Sequence, residues 1–172
     1  MTAQKSTFEE ELLRKGSIVY TNVGDSMMPL LRQGKDLLII KRPKEWDELG
    51  NANAALKLKR LDVPLYKRDN GAYVLHRVLK VRKSDYVICG DNRYQREYGI
   101  CDRHVIGVLS GIVRNGREIS VQDVGYCMYS HLWCDFFWIR AGILWIKRLP
   151  KRIRRKFSKS YDSRTQGYEK DE

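Results

Sequence analysis

DVPLYKRDNGAYVLHRVLKVR (62–82) decides the fold. Two apolar runs flank Asp69-Asn70-Gly71, a turn that tolerates positive φ, so the stretch reads as a β-hairpin. The second run reads as a strand, and successive side chains of a strand point to opposite faces. Val74, His76 and Val78 share one face; Leu75, Arg77 and Leu79 share the other. The alternation predicts a histidine in mid-strand, held among apolar neighbours.

Outward from this hairpin, more strands follow. SIVYTNV (17–23), DLLIIKR (36–42) and DYVICG (85–90) are β-rich runs bounded by turn residues. HVIGVLSGIVR (104–114) and REISV (117–121) meet at Asn115-Gly116, a second hairpin signal. Several short strands with turns between them predict a mostly β fold, a compact antiparallel β domain over 17–121. Residues 1–16 carry a short helix, with Ser6 or Thr7 as cap and Glu9 to Glu11 in its first turn. Residues 43–55 are ambiguous, because Gly50 and two asparagines weaken a helical reading.

After Val121 the character changes. Three of the four tryptophans, Trp133, Trp138 and Trp145, lie in a segment (122–149) that reads as one aromatic, amphipathic helix. From 125 to 146 it has the length of a membrane span, but His131, Asp135 and Arg140 interrupt it, each costly at a bilayer centre. An interfacial helix is expected; the alternatives are a helix packed on the β domain and an anchor through 125–146. Residues 150–172 read as a basic, disordered tail. The net charge is +12, and half of it arises in 147–172, which holds ten Lys/Arg against four Asp/Glu. That asymmetry suits an anionic membrane surface. Nucleic acid is the weaker reading, since no helix-turn-helix, zinc finger or aromatic RNA-binding motif accompanies the charge. The polar start, MTAQKSTFEEELLRKG, is neither a signal peptide nor a span, so a cytoplasmic, peripherally membrane-associated protein is expected. The four cysteines form no C-x-x-C pair, and Cys101 with His104 is an incomplete ligand set; neither metal nor cofactor is expected.

VGDSMMPLLRQG (23–34) places a serine between turn formers and sulfur side chains. Gly24 and Pro29 shape a sharp turn that presents Ser26, Met27 plugs it into the interior, and Asp25 caps it. A serine hydroxyl is a poor nucleophile unless a base takes its proton. Of the three histidines, His131 lies in the aromatic segment and His104 in a charged loop; His76 has the rigid strand setting a base needs.

The order GDSMMP (24–29), LHRV (75–78), GDN (90–92) resembles the signal peptidase I superfamily, which includes the self-cleaving repressor peptidases. The resemblance covers about residues 17–113 and implies the signal-peptidase type of catalytic β domain. It implies Ser26 of Ser26-Met27-Met28-Pro29 as nucleophile. His76 of His76-Arg77-Val78 is the implied base, as in the histidine-type members of the endoplasmic reticulum and archaea. For the orienting acid it offers Asp91 of Gly90-Asp91-Asn92 first. Glu97 is the alternative, because in histidine-type relatives the acid lies several residues beyond that motif. The sequence departs from the family at Leu61, where the strand before the base usually starts with glycine. It departs again at Gly24, where many members carry an oxyanion-binding serine; the Ser26 backbone N–H is the remaining donor. The activity implied is a serine endopeptidase that cleaves a peptide or protein precursor, or itself, by acyl transfer. The alternative is a non-catalytic relative that serves as a binding module at a membrane surface.

Overall fold

The computed structural model describes residues 7–42 and 58–148. The ambiguous segment 43–55 and the tail 150–172 lie outside the described residues. The first helix, α1 (Phe8–Lys15), starts at a capping box in which Thr7 and Glu10 satisfy each other's backbone N–H, and it ends at Gly16 with φ 70°. It lays Leu12 into the core.

Among the described residues, nine strands make two antiparallel sheets. They are β1 (Ser17–Thr21), β2 (Leu37–Lys41), β3 (Pro64–Lys67), β4 (Tyr73–Leu75), β5 (Arg77–Val81), β6 (Tyr86–Cys89), β7 (Glu97–Ile100), β8 (Val105–Arg114) and β9 (Arg117–Ser120). The larger sheet has the order β1-β2-β8-β3-β4, with β9 paired to β8; the smaller has the order β5-β6-β7. The large sheet curls into a half-barrel. Strand β8 carries the curl: opposite β2 its pairing skips Ser110, and opposite β3 it skips Ile106. Extra residues of this kind bend a strand and raise its twist. Beside the second bulge, a Cβ at Gly107 would lie 2.7 Å from Ile40, so only glycine lets β2 approach there.

Both predicted hairpins form. Gly71 (φ 81°) turns β3 into β4, while Asn115 (φ 52°) and Gly116 (φ 76°) turn β8 into β9. The long strand expected through His76 does not form as one. It ends at Leu75 and restarts at Arg77 in the other sheet, so His76 stands at the corner between sheets. Alternation fails there for a physical reason: Leu75, His76, Arg77 and Val78 are all buried, because both sides of the corner are covered. One apolar cluster, with Leu31, Leu38, Ile40 and Ile112, fills the half-barrel. A second, with Tyr66, Val78, Tyr86 and Ile88, joins β3 to the smaller sheet.

The aromatic segment is not one helix. It consists of α2 (Val124–Asp135) and α3 (Phe137–Arg148), separated at Phe136, whose φ −95° and ψ 42° are not helical. The chain divides into two compact units after Phe136, not after Val121, and α2 belongs to the first. Tyr126, Ser130 and Cys134, four residues apart on one face, are buried against the β domain. In the second unit, α3 exposes Trp138 and Trp145. Among the described residues, no helix is long and apolar enough to cross a membrane.

Candidate active site

Ser26 lies in the turn that follows β1. Met28 N–H donates to the Asp25 carbonyl (3.1 Å) and Leu31 N–H to that of Met27 (2.9 Å), which winds the segment tightly. Met27 and Leu31 are buried and pin the turn to the core, as the plug role of Met27 requires. The far end is locked by Asp36, fully buried and gripped by Arg32 and by Arg114 of β8 (Nη2–Oδ2 2.6 Å). Burial raises the Asp36 carboxyl, but the hydrogen bonds from Arg114 and Arg32 outweigh it and bring the group to about 2.

His76 faces the same cleft, whose volume is about 460 Å³ and which Ser26, Gly24, Arg68, Tyr73 and Arg93 also line. Among the described residues, the Ser26 hydroxyl makes no hydrogen bond to the imidazole. Their proximity is read at Gly90. A Cβ there would sit 2.7 Å from the Ser26 carbonyl oxygen and 2.9 Å from His76 Nε2. The next residue but one ties the two walls together: Asn92 N–H donates to the Ser26 carbonyl (2.7 Å) and Asn92 Nδ2 to that of Asp25 (3.1 Å). The Asp25 side chain, expected only to cap the turn, pairs with Arg93 across the loop.

The other imidazole nitrogen, Nδ1, lies 2.8 Å from Glu97 Oε1. Glu97 Oε2 accepts from the Tyr66 hydroxyl (3.0 Å), and Arg68 grips both oxygens (2.9 and 2.6 Å). Burial raises the Glu97 carboxyl, but hydrogen bonds from His76, Arg68 and Tyr66 bring it down to about 2. The carboxylate is therefore ionised and fixed. With Nδ1–H directed to it, a neutral imidazole presents a bare Nε2 lone pair towards Gly90 and Ser26. The neighbours of His76 on this side are polar, not the apolar face that strand alternation predicts.

Asp91, ranked first from the motif, stands elsewhere. Both of its oxygens are taken by Arg77 (Nε–Oδ1 2.9 Å, Nη2–Oδ2 2.8 Å), and this pair is wholly buried. Among the described residues Asp91 makes no hydrogen bond to the imidazole, while Glu97 Oε1 lies 2.8 Å from Nδ1, so the hydrogen bonds place Glu97, not Asp91, against His76. Arg77 also donates to Ser130 Oγ (2.9 Å) and the Leu61 carbonyl (3.1 Å). Leu61 itself has φ 79°, the region glycine favours, at the position where the resemblance expects a glycine.

Sequence reasoning missed Tyr66 and Arg68. They are two residues apart on and just after β3, hence on one face. The signal was present as two polar groups in YKR (66–68), but nothing in the sequence says that this face meets β7. Cys101 and His104, weighed as metal ligands, bond to each other through Cys101 N–H and His104 Nδ1 (3.0 Å). Among the described residues, no group of three or more His, Cys, Asp or Glu side chains could hold a metal ion. Comparison with protein-family models, curated proteins and solved structures returned no match.

Proposed function

We propose that this protein is a serine endopeptidase of the signal-peptidase type, working on peptide or protein precursors or on itself. The observation that carries the reading is the placement of His76, with Nδ1 on the Glu97 carboxylate and Nε2 beside the backbone of Ser26. In this reading the Ser26 hydroxyl attacks a substrate carbonyl while His76 Nε2 takes its proton. Glu97 holds the tautomer and stabilises the imidazolium that forms. The imidazolium then gives the proton to the leaving amine, and the C–N bond breaks. Water, deprotonated by His76, attacks the Ser26 ester and frees the acid product. The Ser26 backbone N–H is the oxyanion donor this chain supplies, since Gly24 has no hydroxyl.

The second unit supports a peripheral place on the cytoplasmic leaflet. Trp138 and Trp145 are exposed, and basic residues follow in sequence. Each basic side chain near an anionic surface contributes about 1 kcal/mol. Anionic vesicles should float the full chain at low salt and release it at high salt, whereas a chain ending at Phe136 should stay unbound. Equal flotation of both chains would rule out the second unit as the attachment.

The activity is tested by labelling with a fluorophosphonate and locating the adduct by mass spectrometry, together with cleavage of a precursor-peptide library. The adduct is expected on Ser26, with both readouts abolished in Ser26→Ala and His76→Ala and the double variant little worse. An unlabelled Ser26 and an intact library would leave a folded scaffold that binds without cutting.

A further inference from the structure

We infer that α2 is a positioning element of the active site, with Tyr129, Ser130 and Trp133 setting where His76 and Gly90 stand. The inference rests on the peptidase reading and adds to it residues from outside the β domain. Arg77 directly follows His76, and Asp91 directly follows Gly90. Both are held from α2. The Tyr129 hydroxyl donates to Asp91 Oδ2 (3.2 Å), Trp133 Nε1–H donates to the Asp91 carbonyl (2.9 Å), and Ser130 Oγ accepts from Arg77 Nη1 (2.9 Å). The Tyr129 and Trp133 rings stack 5.7 Å apart, and Arg77 lies 5.9 Å from the Tyr129 ring centre.

A helix that only covered apolar surface would need none of these polar atoms. Here two of them meet one ion pair, and the third, Trp133 Nε1–H, holds the backbone of the same Asp91. A buried pair is costly unless its remaining donors and acceptors are satisfied. When a partner is lost, the pair relaxes towards new partners, and the relaxation falls on the residues bonded to it in sequence. Those are the base and the glycine against which nucleophile and base both rest. The tolerance there is small, because the space beside Gly90 does not admit even a methyl group.

The test uses the full chain with Tyr129→Phe, Trp133→Phe, their combination and, as control, Leu132→Ser on the exposed side of α2. Three quantities are read well below the melting temperature: the fluorophosphonate labelling rate of Ser26, kcat and KM separately, and hydrogen exchange of the Asn92 amide that bonds Ser26. Each single variant should lower kcat and labelling about tenfold and the pair about a hundredfold, the scale expected for a displacement near 1 Å. KM should hold, Asn92 exchange should quicken, and Leu132→Ser should match wild type. Unchanged kcat, labelling and Asn92 exchange in the double variant would overturn the inference and leave α2 a cover. If the double variant unfolds, Tyr129→Phe, which removes one oxygen atom, decides alone. If wild type takes no label, the peptidase reading fails, and Asn92 exchange still decides whether α2 governs the loop.

Discussion

His76 and Arg77 are consecutive, and each holds one carboxylate, yet the two pairs differ in kind. His76 with Glu97 faces the cleft, and the Glu97 side chain keeps 23% of its exposure; Arg77 with Asp91 faces α2 and is fully enclosed. The first pair has a nitrogen left over, Nε2, which lies beside Gly90 and the Ser26 backbone. The second has its side-chain atoms bonded to Ser130, Tyr129 and the Leu61 carbonyl, and Trp133 holds the Asp91 backbone carbonyl. Adjacent residues of one chain thus supply a group that can move a proton and a fastening that cannot. The corner between the sheets makes this possible, because it turns the two side chains into different surroundings.

The sharpest way to break the comparison is to neutralise each acid in turn. Glu97→Gln keeps the shape but removes the orienting charge, so turnover should fall about 10³- to 10⁴-fold in a chain that still folds. Asp91→Asn leaves the buried Arg77 uncompensated, and denaturant midpoints should report a loss of about 3–5 kcal/mol. If instead Asp91→Asn spares stability while Glu97→Gln spares turnover, the roles are exchanged and the assignment falls. Gly90→Ala should cost next most. Its methyl would meet the Ser26 carbonyl and His76 Nε2 at under 3 Å, so labelling of Ser26 should drop about 100-fold. A fully active Gly90→Ala would mean that the two walls do not depend on this contact.

Acid should also distinguish the wild type from Glu97→Gln. The folded carboxyl of Glu97 sits at about 2 against an ordinary 4.5. A lowered value means stability that is present above 4.5 and lost as the pH falls towards 2. Asp36, at about 2 against 3.8, weakens the fold over an overlapping range. Urea midpoints between pH 5 and 3 should therefore fall less steeply in Glu97→Gln than in wild type; parallel curves would deny Glu97 its ion pairs. The smallest effect concerns Leu61. Glycine there removes left-handed strain of about 1 kcal/mol and gives up part of a half-buried side chain. Leu61→Gly should be neutral to about 1 kcal/mol more stable, and a clear loss would show that the side chain outweighs its backbone.

Much of this was legible in the sequence where the signal was local. Asn70-Gly71 and Asn115-Gly116 mark the two hairpins because positive φ must be met by the turn residues themselves. Ser26 stands out because its turn is written beside it, and His76 because it is the one histidine inside a β-rich run. The strand break at His76 was not legible, since β-rich sequence runs through VLHRVLKV (74–81) with no turn residue to mark it. Nor was the choice between Asp91 and Glu97. It depends on how 90–96 bends and which face of β3 meets β7, neither of which is a property of neighbouring residues. The division at Phe136 was hidden for a related reason: no glycine or proline marks it, so an aromatic run of helical length reads straight through.

Strand β8 has a consequence for the birth of the molecule. The arm that carries Ser26, β1 with β2, and the arm that carries His76, β3 with β4, are each hydrogen-bonded to β8 and not to each other. Their partner is the last strand but one to be synthesised, and its pairings span some of the longest sequence separations in the sheet. Closing such distant contacts is what slows the folding of β proteins. A nascent chain that has not yet emerged as far as Arg114 therefore holds Ser26 and His76 but lacks the strand that joins their two arms.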